Sequence, residues 1–360
     1  MSKVEELLEK YNPDGVEDLT LGEICLNHDS KRRPISKGNR IPGNIPYYGA
    51  NGIQDYVDDY LFNGEYILVG EDGSVITEEG TPIVKWVYGK FWVNNHAHIF
   101  SENLNKALLK YVFYILQINK IKDLVRGVPP KLTKESVLSI SLKIPHIKVQ
   151  EEIVNILDSF TNLIDALNEE LSLRQKQFEY YREKLLTFDE EPTSIFKFTK
   201  VLRGKRLTTK ELSDNAKYPV YHGGTEPIGY YNEYNRDANT VMVINVGASA
   251  GTIGFCNQAF WSSDGCYCLS HNQKIDNKFL YYSLLIREYK IKSQVRYAGI
   301  PTLDQKVIEN IQLFIPSLAI QQSIVEKLDA FESLISSLKE EIALRQKQYE
   351  YYREKLLTFD

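Results

Sequence analysis

Apolar residues recur at alternating spacings of three and four from Leu157 through Phe160, Ile164, Leu167 and Leu171, and continue past Arg174 to Phe178, Tyr181 and Leu185. Leu328, Phe331, Ile335, Leu338 and Ile342 repeat the pattern, which passes Arg345 to Tyr349, Tyr352 and Leu356. This is the a and d spacing of a coiled coil. No Pro or Gly interrupts either stretch, so each predicts one helix about 60 Å long at roughly 1.5 Å per residue. The expected core of a helix pair is Leu157, Phe160, Ile164, Leu167 and Leu171 against Leu328, Phe331, Ile335, Leu338 and Ile342. An antiparallel pairing suits helices that each follow a globular module. The plain alternative is a helix lying along its own domain, but a helix this long would overhang the domain and expose its stripe. Arg174 and Arg345 are polar breaks of the kind that fix register and orientation.

Elsewhere the pattern shortens. Tyr66–Val69, Ile83–Tyr88, Val241–Ile244 and Thr252–Cys256 are apolar or aromatic runs bounded by turn residues and read as strands. From about Leu104 to Ile118 and from about Asn277 to Lys292 the period becomes helical. The predicted class is α+β: two strand-rich domains linked by a pair of long antiparallel coiled-coil helices, with an internal pseudo-twofold repeat.

The repeat is explicit. Leu173 to Asp189 reads LRQKQFEYYREKLLTFD, and Leu344 to Asp360 differs from it only at Tyr349, where the first copy has Phe178. At the same offset of 171 residues, Ile144-Pro145, Gln150, Ile153, Val154, Leu157, Asp158 and Phe160 match Ile315-Pro316, Gln321, Ile324, Val325, Leu328, Asp329 and Phe331. Such a period is too long for a solenoid. It implies two domain-sized modules with a common frame: 1–14 an N-terminal helical segment, 15–148 the first module, 149–189 its helix, 190–318 the second module, and 319–360 the second helix. Val4 to Tyr11 resembles a short copy of Arg182 to Leu186. Identity is dense in the helices and sparse in the modules, as expected if each module faces a different ligand.

With 43% apolar and 25% charged residues over 360 positions, the composition is that of an ordinary globular protein. The first residues lack the apolar run of a signal peptide, and no stretch has the length to cross a bilayer, so a cytoplasmic location is expected. The four cysteines, Cys25, Cys256, Cys266 and Cys268, are poorly placed for a disulfide framework. Their spacing with His271 departs from common zinc patterns, and buried thiols are the simpler reading. Neither a metal nor a cofactor is expected.

A formal net charge of −5 argues superficially against nucleic acid. Local charge matters more, because acidic helices can lie away from a basic face. Both modules open on basic residues, with Lys31, Arg32, Arg33, Lys37 and Arg40 in one and Lys197, Lys200, Arg203, Lys205, Arg206 and Lys210 in the other. A solvated loop would explain either alone; recurrence in both copies favours phosphate contacts. Glycine-rich polar loops follow, at 48–52, 71–74, 221–225 and 245–251, and glycine permits close backbone approach. Arg126 and Arg296 precede Pro129 and Pro301 at matching places. The expected DNA contacts are Lys31, Arg32, Arg33, Tyr48, Asn51 and Lys85 in the first module. In the second they are Lys205, Arg206, His222, Asn245, Ser249 and Arg296.

Several segments carry a family resemblance. They are Gly15-Val16-Glu17 with Leu21-Gly22-Glu23, Arg203-Gly204-Lys205-Arg206-Leu207 with Tyr218-Pro219-Val220-Tyr221, and Ile315-Pro316 leading into Gln321-Gln322-x-Ile324-Val325-x-Lys327-Leu328. In this order, with the duplicated helix, the chain resembles type I restriction-modification specificity subunits over nearly its whole length. The resemblance implies two target-recognition domains, each binding half of a split double-stranded DNA target. It implies helices that space the domains and dock two adenine-methylating modification subunits, with restriction subunits in the full complex. Lys31-Arg32-Arg33 departs from the Arg-Gly-Lys arrangement at Arg203 to Lys205, so the entrance to the first module is expected to differ in shape. Val128-Pro129-Pro130-Lys131 lacks the polar and aromatic members that an adenine methyltransferase needs for a flipped base, and no phosphate-binding loop of a nucleotide-driven motor occurs. The expectation is a non-catalytic subunit; the alternative is a coiled-coil protein-interaction scaffold.

Overall fold

The computed structural model describes residues 2–103, 106–189 and 191–359. Among them the helices are α1 (Lys3–Tyr11), α2 (Leu21–Ile24), α3 (Leu109–Leu116), α4 (Lys134–Leu138), α5 (Ile147–Leu186), α6 (Asn277–Leu285), α7 (Glu288–Lys292), α8 (Gln305–Glu309) and α9 (Leu318–Leu357). Leu104, where the sequence pattern of the first short helix begins, lies outside the described residues, as does Glu190 at the start of the second module. The two long helices have 40 residues each. Along them Leu157, Leu328, Leu338 and Ile342 are buried, and Phe160, Ile164, Leu167, Leu171, Phe331 and Ile335 are half-buried between exposed flanks. No described helix is long and apolar enough to cross a membrane.

The chain divides into two units, Met1–Leu167 with Glu341–Asp360, and Asn168–Glu340. The first contains β1 (Glu17–Thr20), β2 (Cys25–Asn27), β3 (Pro42–Gly49), β4 (Gly52–Val57), β5 (Phe62–Gly70), β6 (Val84–Val93), β7 (Ala97–Glu102) and β8 (Ser141–Ile144). Six of these form a sheet in the order β2-β7-β5-β6-β3-β4. Strand β6 joins its two halves, pairing antiparallel with β5 and, at Trp92 and Val93, parallel with β3. The second unit contains β9 (Thr193–Ser194), β10 (Thr199–Arg203), β11 (Tyr218–Tyr221), β12 (Gly229–Tyr231), β13 (Thr240–Ile244), β14 (Ile253–Cys256), β15 (Trp261–Ser262), β16 (Cys266–His271) and β17 (Gln312–Leu313). Here the counterpart of β6 is broken into β14 and β15: the ladder with β13 ends at Thr240 and Cys256, and beyond it only Arg236 and Phe260 pair, as an isolated bridge. The sheet accordingly separates into β10-β16-β13-β14 and β12-β11-β15.

Each module is closed where the chain enters and leaves it. Strand β1 pairs antiparallel with β8, and β9 with β17, immediately before the long helices start. Both ends of a module are thereby held together at the base of its helix.

Each unit uses segments of both long helices. In the first, Val149, Ile153 and Leu157 of α5 share a core with Leu357 of α9, and Phe160 stacks on Tyr352 with ring centroids 5.5 Å apart. Val4 of α1 joins the same core, its helix started by a reciprocal cap between Ser2 and Glu5. In the second, Leu186 of α5 shares a core with Ile324 and Leu328 of α9, and Tyr181 stacks on Phe331 at 5.5 Å. The start of α5 thus meets the end of α9 in one unit, and the end of α5 meets the start of α9 in the other, so the helices run antiparallel. The polar breaks are satisfied on their own helices: Arg174 lies 3.3 Å from Glu170 and Arg345 2.7 Å from Glu341.

Leu157 and Leu328 are fully buried where helix and module cores merge. Replacing either by Ala is expected to destabilise its unit by about 2–5 kcal/mol, the range for buried Leu deletions; urea unfolding of the purified chain measures it. A loss below about 0.5 kcal/mol would mean that the stripe is not a core.

Candidate DNA interface

In the second unit, β10 delivers Arg203 and then Gly204-Lys205-Arg206 onto the turn that follows β15. A Cβ at Gly204 would lie 1.9 Å from the Ser263 carbonyl oxygen, so only glycine fits at this close approach. The next residue is pinned on both sides: the Lys205 N–H donates to Ser262 O at 2.9 Å, and Trp261 Nε1 donates to Lys205 O at 2.7 Å. With its backbone fixed, Lys205 and Arg206 project as exposed side chains.

A cleft of about 450 Å³ opens beside this segment, lined by Arg203, Arg206, His222, Asn245, Arg296 and Asp304, among others. It draws together four of the residues singled out from sequence: Arg206, His222, Asn245 and Arg296. Strand β13 ends at the cleft, and Asn245 is held there by its N–H to Gly265 O at 3.1 Å and its carbonyl to the Leu303 N–H at 2.9 Å. Arg296 and Thr302 exchange backbone hydrogen bonds at 2.9 and 3.0 Å, closing a hairpin whose tip exposes Tyr297 and Ile300. Arg296 lies 3.3 Å from Asp304, and His222 Nδ1 lies 3.2 Å from Asp264. Arg203 reaches Gln305 at 3.3 Å and lies over the Tyr267 ring. Lys205 and Ser249 do not line the cleft; Ser249 is half-buried in the glycine loop after β13.

The first unit repeats the scaffold with a different floor. Trp92 Nε1 donates to Arg33 O at 2.5 Å, and the Arg33 N–H donates to Val93 O at 3.4 Å, so Arg33 stands where Lys205 stands and Arg32 takes the place of Gly204. Arg32 turns inward, contacting Glu71, donating to Ala97 O at 2.9 Å and lying 3.5 Å from Asp29. Glu71 occupies the position of Asn245, since its N–H donates to His96 O and its carbonyl accepts from Leu132. Lys131 lies 3.6 Å from Glu71, and the buried His98 bridges Asp29 Oδ2 at 2.7 Å and Leu132 O at 2.8 Å. Burial works to raise the Asp29 carboxyl, but hydrogen bonds from His98 and the Ile99 N–H and the charge of Arg32 outweigh it and hold the group below its usual range. Asp29, Glu71 and His98 are the one group of potential metal ligands among the described residues, and Arg32 and Lys131 already balance it.

Lys31 and Arg33 are exposed at the rim, and Tyr48 is half-buried edge-on against Phe91. Asn51 and Lys85 line a separate groove of about 820 Å³ beside the last turns of α9. Asn51 also donates to Ser74 Oγ at 2.8 Å. Sequence reasoning missed the Asp29–Glu71–His98 network; it named Arg203 only within the basic segment that opens the second module, and Arg126 only by its place before Pro129. Arg126 is the counterpart of Arg296, exchanging backbone hydrogen bonds with Lys131 at 2.9 and 2.7 Å; the shared position before Pro129 and Pro301 was the available signal. The cysteines Cys256, Cys266 and Cys268 pack as buried thiols with Tyr221 and Phe260, and burial pushes Cys266 up to about 12.

Residues 13–173 and 193–344 match the family described as the type I restriction modification DNA specificity domain. The chain is 36% identical to a putative type I restriction enzyme specificity subunit of Haemophilus influenzae, over 99% of this chain and 98% of that one. It is 27% identical to the EcoR124I/EcoR124II specificity subunit of Escherichia coli, over 100% and 97%. Its fold matches the crystal structure of the type I restriction-modification S subunit from M. genitalium, with a TM-score of 0.72 at 19% identity, covering 95% and 96% of the two chains. Two strand-rich modules, paired long helices and a basic cleft therefore agree with the sequence matches: the chain belongs to the type I restriction-modification specificity subunit family.

Proposed function

We propose that this chain reads a split target on double-stranded DNA, with residues 15–148 and 190–318 as its two recognition domains. In this reading residues 149–189 and 319–360 form the helical spacer, preceded by the helical segment 1–14. The observation that carries the reading is the second-unit cleft, where Arg203, Arg206 and Arg296 surround Asn245 and His222. Arginine can grip phosphates or pair bidentately with guanine, while asparagine suits adenine edges. Lys205 and Arg206, fixed by their backbone at the rim, act mainly on phosphates. Lys31 and Arg33 have that role in the first unit, where Arg32 is committed to Glu71.

Methyl transfer and strand cleavage belong to partner subunits in the cytoplasm, and this chain contributes recognition without catalysis. Two modification subunits dock on the long helices, and restriction subunits complete the assembly. Supporting this docking are large apolar side chains left exposed at equivalent places of both helices: Leu173 at 58% and Tyr180 at 58%, Leu344 at 57% and Tyr351 at 60%. The two residues of each pair are seven apart, two helical turns, and so share a face. Such a face repeated in both copies offers two like sites for one kind of partner.

Lys205→Ala and Arg206→Ala are each expected to weaken DNA binding across related sequences and to lower the salt dependence by about one unit per lost phosphate contact. Fluorescence titrations of the assembled complex at several salt concentrations decide this; an unchanged slope with altered base preference would assign them to direct readout. Exchanging residues 190–318 for those of a related subunit is expected to change one half of the methylated target and leave the other half intact, as read by mapping the methylated adenines. Rewriting of both halves would refute the division of labour. Leu173→Glu and Leu344→Glu are each expected to leave a complex with one modification subunit instead of two, visible by native mass spectrometry, and full occupancy in both variants would place the docking face elsewhere.

A further inference from the structure

Each unit ties its short helix to its long helix through the same polar side chains, none of which lines the DNA-facing cleft. In the second unit, fully buried Gln321 on α9 accepts the Asp276 N–H at 2.8 Å, ahead of α6, and donates to Pro316 O at 2.8 Å. Two turns further along α9, Asp329 accepts the hydroxyl of Tyr282 at 2.5 Å. Lys278 approaches Asp329 at 3.3 Å and Glu332 at 3.2 Å, with its ammonium 4.9–5.5 Å from the ring centroids of Phe255, Tyr281 and Tyr282. The first unit repeats the set except for Glu332, whose place is taken by Thr161. Gln150 accepts the Leu108 N–H at 2.8 Å and donates to Pro145 O at 2.8 Å. Asp158 accepts from Tyr114 and lies 3.6 Å from Lys110, whose ammonium is 4.5 Å from the Trp86 ring centroid.

We propose that these residues, Gln150, Lys110, Tyr114 and Asp158 in one unit and Gln321, Lys278, Tyr282 and Asp329 in the other, are positioning residues. They clamp each recognition module at one angle on its helix and so set the gap at which the two half-sites are read. This rests on the split-target reading above. Apolar packing between a module and a helix is non-directional and tolerates rotation and sliding. Hydrogen bonds are directional, and two anchors eight residues apart, about 12 Å along the helix, remove both freedoms. The lysine adds a charge held by aromatic faces and carboxylate together. The modules kept this set while their surroundings changed, with Trp86 and Phe113 in one and Phe255 and Tyr281 in the other beside the same Lys and Tyr. Burial and the carboxylate contact push the Tyr282 hydroxyl far above its ordinary range, so it remains a donor at any working pH.

The test uses the complex assembled with modification subunits and S-adenosylmethionine, acting on duplexes that carry both methylation-mapped half-sites at the preferred gap and at one base pair more or less. Asp329→Asn, Asp158→Asn and the milder Tyr282→Phe are compared with wild type, with thermal melting to confirm folding. The expected result is that the ratio of methylation at the preferred gap to that at the shifted gaps falls by about ten-fold, the size of one lost charged hydrogen bond. The bases read in each half stay the same, and Lys278→Arg, which keeps the charge over the rings, retains the wild-type ratio. Folded variants whose activity drops equally at every gap would overturn the clamp alone. A wild-type complex indifferent to the gap would overturn the split-target reading, and the clamp with it.

Discussion

The fold depends on an apolar stripe that no single module can cover. A 40-residue helix extends about 60 Å, whereas a compact domain of this size measures roughly 35–40 Å across. Leaving half the stripe in water would forgo about 25 cal/mol per Å² of apolar surface. The chain meets this constraint by completing each unit with a segment of the other long helix, so Leu357 enters the core of the first module and Leu186 that of the second. The duplication of the sequence follows: the same helix serves as the end of one unit and the start of the other, and one set of side chains must satisfy both roles.

Much of this was legible in the sequence because it is periodic. The three-and-four spacing located both helices, and the near-identity of 173–189 with 344–360 fixed the existence of two modules. The strands at 66–69, 83–88, 241–244 and 252–256 fell within observed strands or at their edges, since their apolar runs are bounded by turn residues. What the sequence hid was set by tertiary approach. Arg32 looked like a rim cation beside Lys31 and Arg33, yet it turns inward because Glu71, 39 residues further along the chain, meets it together with neighbouring Asp29. Gln150 and Asp158 stood out as repeats without a role, because their partners lie at other offsets on the short helices. Arg206, His222, Asn245 and Arg296 did converge, since each follows a strand end or a closed hairpin that the shared scaffold places on one side.

The overall charge of −5 is a poor guide to the local charge of the clefted face. In the cleft of the second unit, three arginines face two aspartates, of which Asp304 pairs with Arg296, and the positive excess is local. In the first unit much of the positive charge is spent internally, balancing Glu71 and Asp29. The two modules therefore present unlike electrostatic faces from one backbone plan.

The entrances of the two modules are not interchangeable residue by residue. Glycine at 204 is enforced by the carbonyl of Ser263 at 1.9 Å from a would-be Cβ, and an arginine placed there would find Asn245 instead of a carboxylate. Conversely, removing Arg32 would leave the part-buried Glu71 and Asp29 with only Lys131 and His98 opposite them. Each entrance residue is tied to backbone and side chains contributed from elsewhere in its own module, so neither entrance converts into the other by a single substitution.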